Sequence, residues 1–373
     1  MTYPTTATIE PRAASNSGSE SGPKMQSLEL AKRAFITRNV DLDQVAGLLV
    51  GDHRPAPGDL VLAEVVRLGQ HQRLELTTGR RARMSPGDRV LVCFGDRYAP
   101  DQFESRVPEN MKPCHLVAAG GIASEMVSRH RRMKRPTMLQ PLALAVDADG
   151  NRINLRNFRL PRRTLNSGQF RPQIIAVAGT AMNAGKTTTA AHLIRGLNRA
   201  GFKVSSAKVT GTGAGGDYWF MLDSGARPVL DFTDAGYAST FDVSRDALED
   251  IFETLVGELI QHRPDVIVLE IADGIFQEET AIALGMERFR QLVDHVIFTA
   301  ADATGALAGK LWLQQHRLPL RAISGVLTAS PLAMREAARA TSLPVFDMEQ
   351  LASPDCVQDL IFGDAQPLQV VSA

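Results

Sequence analysis

Ile174-Ile175-Ala176-Val177-Ala178-Gly179-Thr180-Ala181-Met182-Asn183-Ala184-Gly185-Lys186-Thr187-Thr188-Thr189 reads as an apolar strand, a loop bounded by two glycines, and the opening of a helix. Phosphate binding needs this order. Without a Cβ, glycine lets backbone N–H groups turn inward around phosphate oxygens. The helix start adds its dipole and its free N–H groups. Lys186 can place a positive charge on the β- and γ-phosphates, and the Thr187 hydroxyl can ligate Mg²⁺. The expected nucleotide contacts are Gly179, Thr180, Asn183, Ala184, Gly185, Lys186, Thr187 and Thr188. Five residues separate Gly179 from Gly185, where the common form has four.

Downstream, short apolar runs alternate with helical stretches. Strands are expected at 203–209, 266–271, 296–300, 322–327 and 344–346, with helices at 186–200 and 247–262. Continuous apolar strands between helices predict an α/β fold with a mostly parallel, doubly wound sheet over 172–373. Ligands of such sheets gather at the carboxyl ends of the strands. Lys208 lies at one such end, where its charge could neutralise a substrate carboxylate or a transferred phosphoryl group. Glu270 ends the strand Val266-Ile267-Val268-Leu269 and would be costly to bury unpaired, so a metal is its expected compensation. Asp273 follows as a helper.

Residues 211–241 are crowded with glycine and aspartate and hold Tyr218, Trp219 and Tyr237. A structureless loop rarely spends such residues. Asp217 is a candidate metal ligand or a turn-forming aspartate. Asp231 and Asp234 either hold substrate or cap a helix. With Lys208, Thr210 and Tyr237 they make up the expected substrate set. Lys186, Lys208 and Glu270 form the expected catalytic set, and Thr187, Asp217 and Glu270 the metal set.

The Gly-Thr-x-x-x-x-Gly-Lys-Thr loop resembles that of the dethiobiotin synthetase family of P-loop proteins. The wider group includes cobyrinic acid a,c-diamide synthase, the synthetase domain of CTP synthase and the MinD/ParA ATPases. The resemblance spans roughly 172–350. It implies that Lys208 matches a lysine near substrate and phosphates, with Val209 in place of the family's proline. It also implies that Glu270 matches a magnesium-binding glutamate, with Ile271 where a glycine belongs, and that Asp217 matches an acid reaching the metal. Phe298 to Gly305 and Gly325 to Thr328 resemble segments beside the nucleotide, although the base-reading asparagine is missing. Asp231-Phe232-Thr233-Asp234-Ala235-Gly236 resembles a run in a second, uncharacterised P-loop group, some members of which are associated with the metabolism of amino-acid derivatives.

The implied function is an ATP- and Mg²⁺-dependent enzyme that activates a small-molecule carboxylate, as ligases and synthetases do. A nucleotide-switch ATPase acting on a protein partner is the alternative; MinD/ParA proteins carry a second lysine near Ala181 or Met182, and this chain has none there. A third reading gives the working role to the amino-terminal region, with the ATPase as its regulator. No Asn-Lys-x-Asp guanine signature occurs, so ATP is preferred to GTP. A homodimer is implied by the resemblance alone.

The rest of the sequence bounds these readings. Among 373 residues, 41 basic and 41 acidic side chains balance, so no global field favours nucleic acid or an anionic membrane. Three separated cysteines, Cys93, Cys114 and Cys356, give no zinc or disulfide pattern and fit a cytoplasmic protein. No run approaches the ~20 apolar residues of a membrane span. Residues 1–24 are expected to be a disordered tail and 25–160 a smaller α+β or β-barrel-like accessory domain, with 161–171 as linker. Within 25–160, helices are expected at 25–38 and 124–133. Arg129, His130, Arg131, Arg132, Lys134 and Arg135 would form a solvated helix face or an anion-binding patch.

Overall fold

The computed structural model describes residues 28, 30–163 and 170–363. The amino-terminal half is built of strands: β1 (Lys32–Arg33), β2 (Gly47–Leu49), β3 (Leu60–Arg67), β4 (Arg73–Glu75), β5 (Arg81–Arg83), β6 (Arg89–Phe94), β7 (Phe103–Arg106), β8 (Cys114–Ala118), β9 (Ile122–Arg129) and β10 (Thr137–Val146). The main sheet runs β1-β6-β3-β10-β8-β9-β7, and β6 also pairs with β9, so the pairings return on themselves. Leu60, Leu62, Leu91, Phe94, Leu116 and Leu139 fill its core.

The carboxyl-terminal half is α/β: β11 (Gln173–Gly179), α1 (Lys186–Arg199), β12 (Val204–Lys208), α2 (Gly216–Asp223), β13 (Val229–Asp231), α3 (Arg245–Gln261), β14 (Val266–Glu270), α4 (Glu278–Gly285), α5 (Glu287–Leu292), β15 (His295–Thr299), α6 (Ala303–Gln315), β16 (Leu320–Ser324), α7 (Pro331–Thr341), α8 (Met348–Leu351) and α9 (Pro354–Phe362). Its six strands lie in the order β13-β12-β14-β11-β15-β16, and every pairing is parallel.

The period of two along each strand explains why both faces are covered. Ile174, Ala176 and Ala178 of β11 pack with Ile267 and Leu269 of β14 in one core. Ile175 and Val177 pack with Val266 and Val268 in the other, against Ala190, Leu193, Ile194 and Leu197 of α1. Burying each large aliphatic side chain contributes about 1.5–3 kcal/mol. The same alternation decides where the polar strand ends point. Glu270 follows 266 and 268, and Lys208 follows 204 and 206, so both fall on the α1 face.

Two expected helices are not formed as read. Of the helix expected over 25–38, residues 25–27 and 29 lie outside the described residues and Leu28 is helical, but the rest holds β1, paired in parallel with β6, and a short 3₁₀ turn at Phe35–Thr37. The Ile36 N–H bonds to the Gly120 carbonyl at 3.0 Å, so tertiary partners override the helical spacing. Residues 124–129 belong to β9, which pairs with β7 and β8. Its outer end and the following loop carry Arg129 to Arg135, and the five Arg and Lys side chains and His130 are exposed on a strand end and loop. Their charge density imitated a helix face. The segment 344–346 makes a single bridge, Ile323 to Val345, rather than a strand. The tail 1–24 and residues 164–169 of the expected linker lie outside the described residues. Arg159 holds Asp250 at 2.8 Å and Arg163 holds Glu258 at 2.7 Å, which fastens the approach to 164 onto α3.

Candidate functional site

β11 ends at Gly179, where an added Cβ would lie 2.2 Å from Thr299 Oγ1 and 3.2 Å from Lys186 Cγ. The close approach requires glycine. Asn183 takes a left-handed conformation (φ 66°), as does Gly185 (φ 99°), and the chain then enters α1. These left-handed steps curl the loop just ahead of the helix start, the kind of backbone turn that phosphate-binding nests use.

Strand register assembles the rest. Lys208 lies beside Glu270 on β12 and β14, and Val177 beside Glu270 on β11 and β14. Thr187, in the first turn of α1, faces both acids: its Oγ1 is 2.8 Å from Glu270 Oε1 and 3.0 Å from Asp217 Oδ1. Lys208 pairs with the other oxygen of Asp217. Lys186 donates to the Ala181 carbonyl at 2.8 Å, folded back over its own loop.

Burial sets the electrostatics. Glu270 is 2% exposed, and burial together with the charge of Asp217 pushes its pKa up to about 7. Burial opposes the charge of Lys208, but Asp217 and Glu270 outweigh it and hold the ammonium above its ordinary range. Burial likewise opposes the charge of Asp217, and Lys208 overcomes it. Lys186 is pulled below its usual range by burial, against Glu270 and Asp273.

These donors fit a magnesium ion. Glu270 Oε2 is buried and has no hydrogen-bond partner. With both acids ionised, Thr187 has one hydroxyl proton for two facing carboxylate oxygens, so one contact is left without a hydrogen. A cation among these oxygens would relieve both deficits. No group of three or more His, Cys, Asp or Glu residues is placed for a metal among the described residues. Two carboxylates and a hydroxyl are a fitting set for Mg²⁺, which keeps waters and takes phosphate oxygens as further ligands.

A cavity of about 470 Å³ collects Asn183, Gly185, Lys186, Thr187, Thr188, Lys208, Asp217, Glu270 and Asp273. A second space, about 490 Å³, adjoins it through Gly185, Thr188 and Val326 and is lined further by Thr328 and Met348. Other expected residues lie outside the loop cavity's lining. Thr210 is buried behind it, 3.4 Å from the Ala272 carbonyl. Asp231 and Asp234 bind Arg38 at 3.0 and 2.7 Å. Tyr237 lies under the Arg156 guanidinium and lines a separate cavity of about 250 Å³.

Sequence reasoning missed the contribution of the amino-terminal half. Arg97, Tyr98 and Gln102 line the loop cavity, and Asp101 accepts from Asn183 Nδ2 at 2.9 Å. The stretch Asp96-Arg97-Tyr98-Ala99-Pro100-Asp101 looks like an ordinary charged turn after an apolar strand. Only the tertiary fold brings it to the loop.

An apolar parallel strand, a glycine-bounded loop and a Lys-Thr helix start define a P-loop nucleotide-binding fold. No family profile and no curated protein matches the chain. Among solved structures, the signal recognition particle 54 kDa protein from Aeropyrum pernix K1, in complex with GDP, is similar at 18% identity and a TM-score of 0.36, covering 52% of this chain and 47% of that one. The signal recognition particle receptor FtsY from Elizabethkingia anophelis, in complex with GDP, is 15% identical with a TM-score of 0.36, covering 54% and 67%. A DUF1611 family protein from Anabaena variabilis is 14% identical with a TM-score of 0.36, covering 57% and 64%. This chain thus spans about half the length of the first. Likeness at this level decides nothing further about the site.

Proposed function

We propose that this chain is an ATP- and Mg²⁺-dependent enzyme that transfers the γ-phosphoryl group to a small-molecule carboxylate. The observation that carries this is the convergence on one cavity of two buried lysines and the Thr187–Asp217–Glu270 cluster, with Glu270 Oε2 left unpartnered. In the reaction, an acceptor carboxylate oxygen attacks the γ-phosphorus and forms a new P–O bond. The bond from that phosphorus to the β–γ bridging oxygen breaks, and its electron pair leaves with ADP. The products are an acyl phosphate and ADP, and no proton is transferred. The loop amides and Lys186 hold the β- and γ-phosphoryl oxygens, while Lys208 neutralises charge at the transferred group or the acceptor. Bound Mg²⁺, held by Thr187, Asp217 and Glu270, would supply charge neutralisation at the β- and γ-oxygens. The space beside Val326, Thr328 and Met348 suits an adenine base, and the missing guanine signature favours ATP. A homodimer remains an expectation of the resemblance. No described helix is long and apolar enough to cross a membrane.

The test is to incubate the protein with MgATP and a panel of carboxylic acids, measuring ADP and trapping acyl phosphate with hydroxylamine. Strong stimulation by one acid, with hydroxamate formed, supports the reading. ADP release that responds only to a protein partner, with no hydroxamate, replaces it with the nucleotide switch.

A further inference from the structure

Arg97 is 5% exposed, and its Nε and Nη1 have no hydrogen-bond partner. Its Nη2 donates to Gln102 Oε1 at 3.0 Å. A guanidinium offers five N–H bonds and cannot shed its charge to avoid burial, so two idle nitrogens in a dry setting are costly unless an anion arrives. The backbone around it is fixed. Arg97 and Ser105 exchange two main-chain hydrogen bonds, each 3.0 Å, so the side chain springs from a braced hairpin. The side chain lines the loop cavity. It also lies within the electrostatic reach of Asp101 and Asp273. Asp101 holds Asn183 of the phosphate loop, and Asp273 also acts on Lys186. Arg97 thus lines the loop cavity together with Asn183 and Lys186 and is absent from the lining of the adjoining space beside Thr328 and Met348.

We propose that Arg97, delivered by the amino-terminal half, is a catalytic residue that binds the γ-phosphoryl oxygens as charge builds on them during transfer. The assignment rests on the phosphoryl-transfer reading above. It implies that the strand-rich half completes the active site of the other half within one chain. Nε and Nη1 lie on different edges of the guanidinium plane, so a free N–H donor is left for a phosphoryl oxygen on either edge.

The experiment uses full-length protein, Arg97→Ala and Arg97→Lys. Affinities for MgADP and for MgADP with fluoroaluminate, a mimic of the transferring group, are measured by calorimetry without any acceptor. The expected result is MgADP affinity within about threefold of wild type in both variants, and an ADP–fluoroaluminate affinity about 100-fold weaker in Arg97→Ala. Guanidinium ion at millimolar concentration should restore part of that loss, and Arg97→Lys should recover less than its charge alone would predict. Fluoroaluminate binding unchanged in either folded variant overturns the proposal, including the case in which Arg97 serves only the acceptor carboxylate. If Arg97→Ala does not fold, Arg97→Lys alone decides on the same criterion. Wild-type protein that binds no nucleotide sinks the parent reading instead, and the two failures are thereby distinguished.

Discussion

The molecule contains two buried clusters built from the same parts, a pair of carboxylates and one cation, and they are finished differently. Asp231 and Asp234 receive Arg38, the Asn39 amide at 2.6 Å, the Asp231 N–H onto Asp234 at 2.7 Å, and the Thr233 N–H at 2.8 Å. No buried carboxylate oxygen of either acid lacks a partner. Asp217 alone receives Lys208, the two acids share one Thr187 hydroxyl, and an oxygen of Glu270 is left over. The first cluster joins the two halves of the chain, because Arg38 comes from beside β1 and the acids from beside β13. The second opens on a cavity. A saturated ion cluster stabilises a fold, whereas an unsaturated one in a cleft waits for a ligand.

The contrast can be broken by exchanging the outcomes. The largest effect is expected at Lys186→Ala, outside both clusters but over the second. Turnover should fall about 10³-fold with the far-ultraviolet circular dichroism unchanged, and retained turnover would falsify the catalytic assignment. Next comes Arg38→Ala, which strands two buried acids. Urea unfolding should show a loss of about 3–5 kcal/mol, while MgATP affinity of the folded fraction stays within a few-fold. A large affinity loss without instability would move the first cluster into the active site. Glu270→Gln should then weaken Mg²⁺ binding about 100-fold, with far less effect on nucleotide affinity. Parallel losses of metal and nucleotide would make Glu270 structural.

The smallest expected effect is a pH dependence that belongs to neither cluster. His71 bonds the Val117 carbonyl at 2.9 Å, and burial plus the nearby Arg97 charge lower its pKa to about 4. In the unfolded chain it titrates near 6.5. Between about pH 6.5 and 4 the unfolded state binds the extra proton, so stability present at neutral pH is lost as the pH falls through that window. From neutral pH to pH 5.5 the loss is about 1 kcal/mol. His71→Gln should flatten this part of the stability profile in acid titrations followed by fluorescence. An unchanged slope would assign it to the carboxylates.

What the sequence disclosed follows the range of the forces involved. The phosphate loop was readable because its glycines, lysine and threonine act within one strand–loop–helix segment. Glu270 and Lys208 were readable because an acid or lysine closing an apolar strand is conspicuous. Asp231 and Asp234 looked like pocket acids, since their cation, Arg38, lies 193 and 196 residues earlier and carries no local mark. Arg97 and Asp101 were invisible for the same reason. The helix expected over 124–133 failed because a run of cations satisfies helical and extended spacing equally well, and pairing with β7 and β8 decided between them.

The register Val177, Glu270, Lys208, Asp231 forms one row across four neighbouring strands. Side chains on a strand change face at every step, so deleting a single residue within β12 would turn Lys208 to the opposite layer and put Val209 in its place in the row. The strand can drift in residue identity across its buried positions, but not in length. The glycine-rich turn 211–215 beyond its tip is held to length as well, since the Gly213 N–H bonds the Ala238 carbonyl at 3.0 Å and the Gly215 N–H bonds Glu75 Oε2 at 2.9 Å, so lineages descended from this chain should keep the measure of strand and turn together.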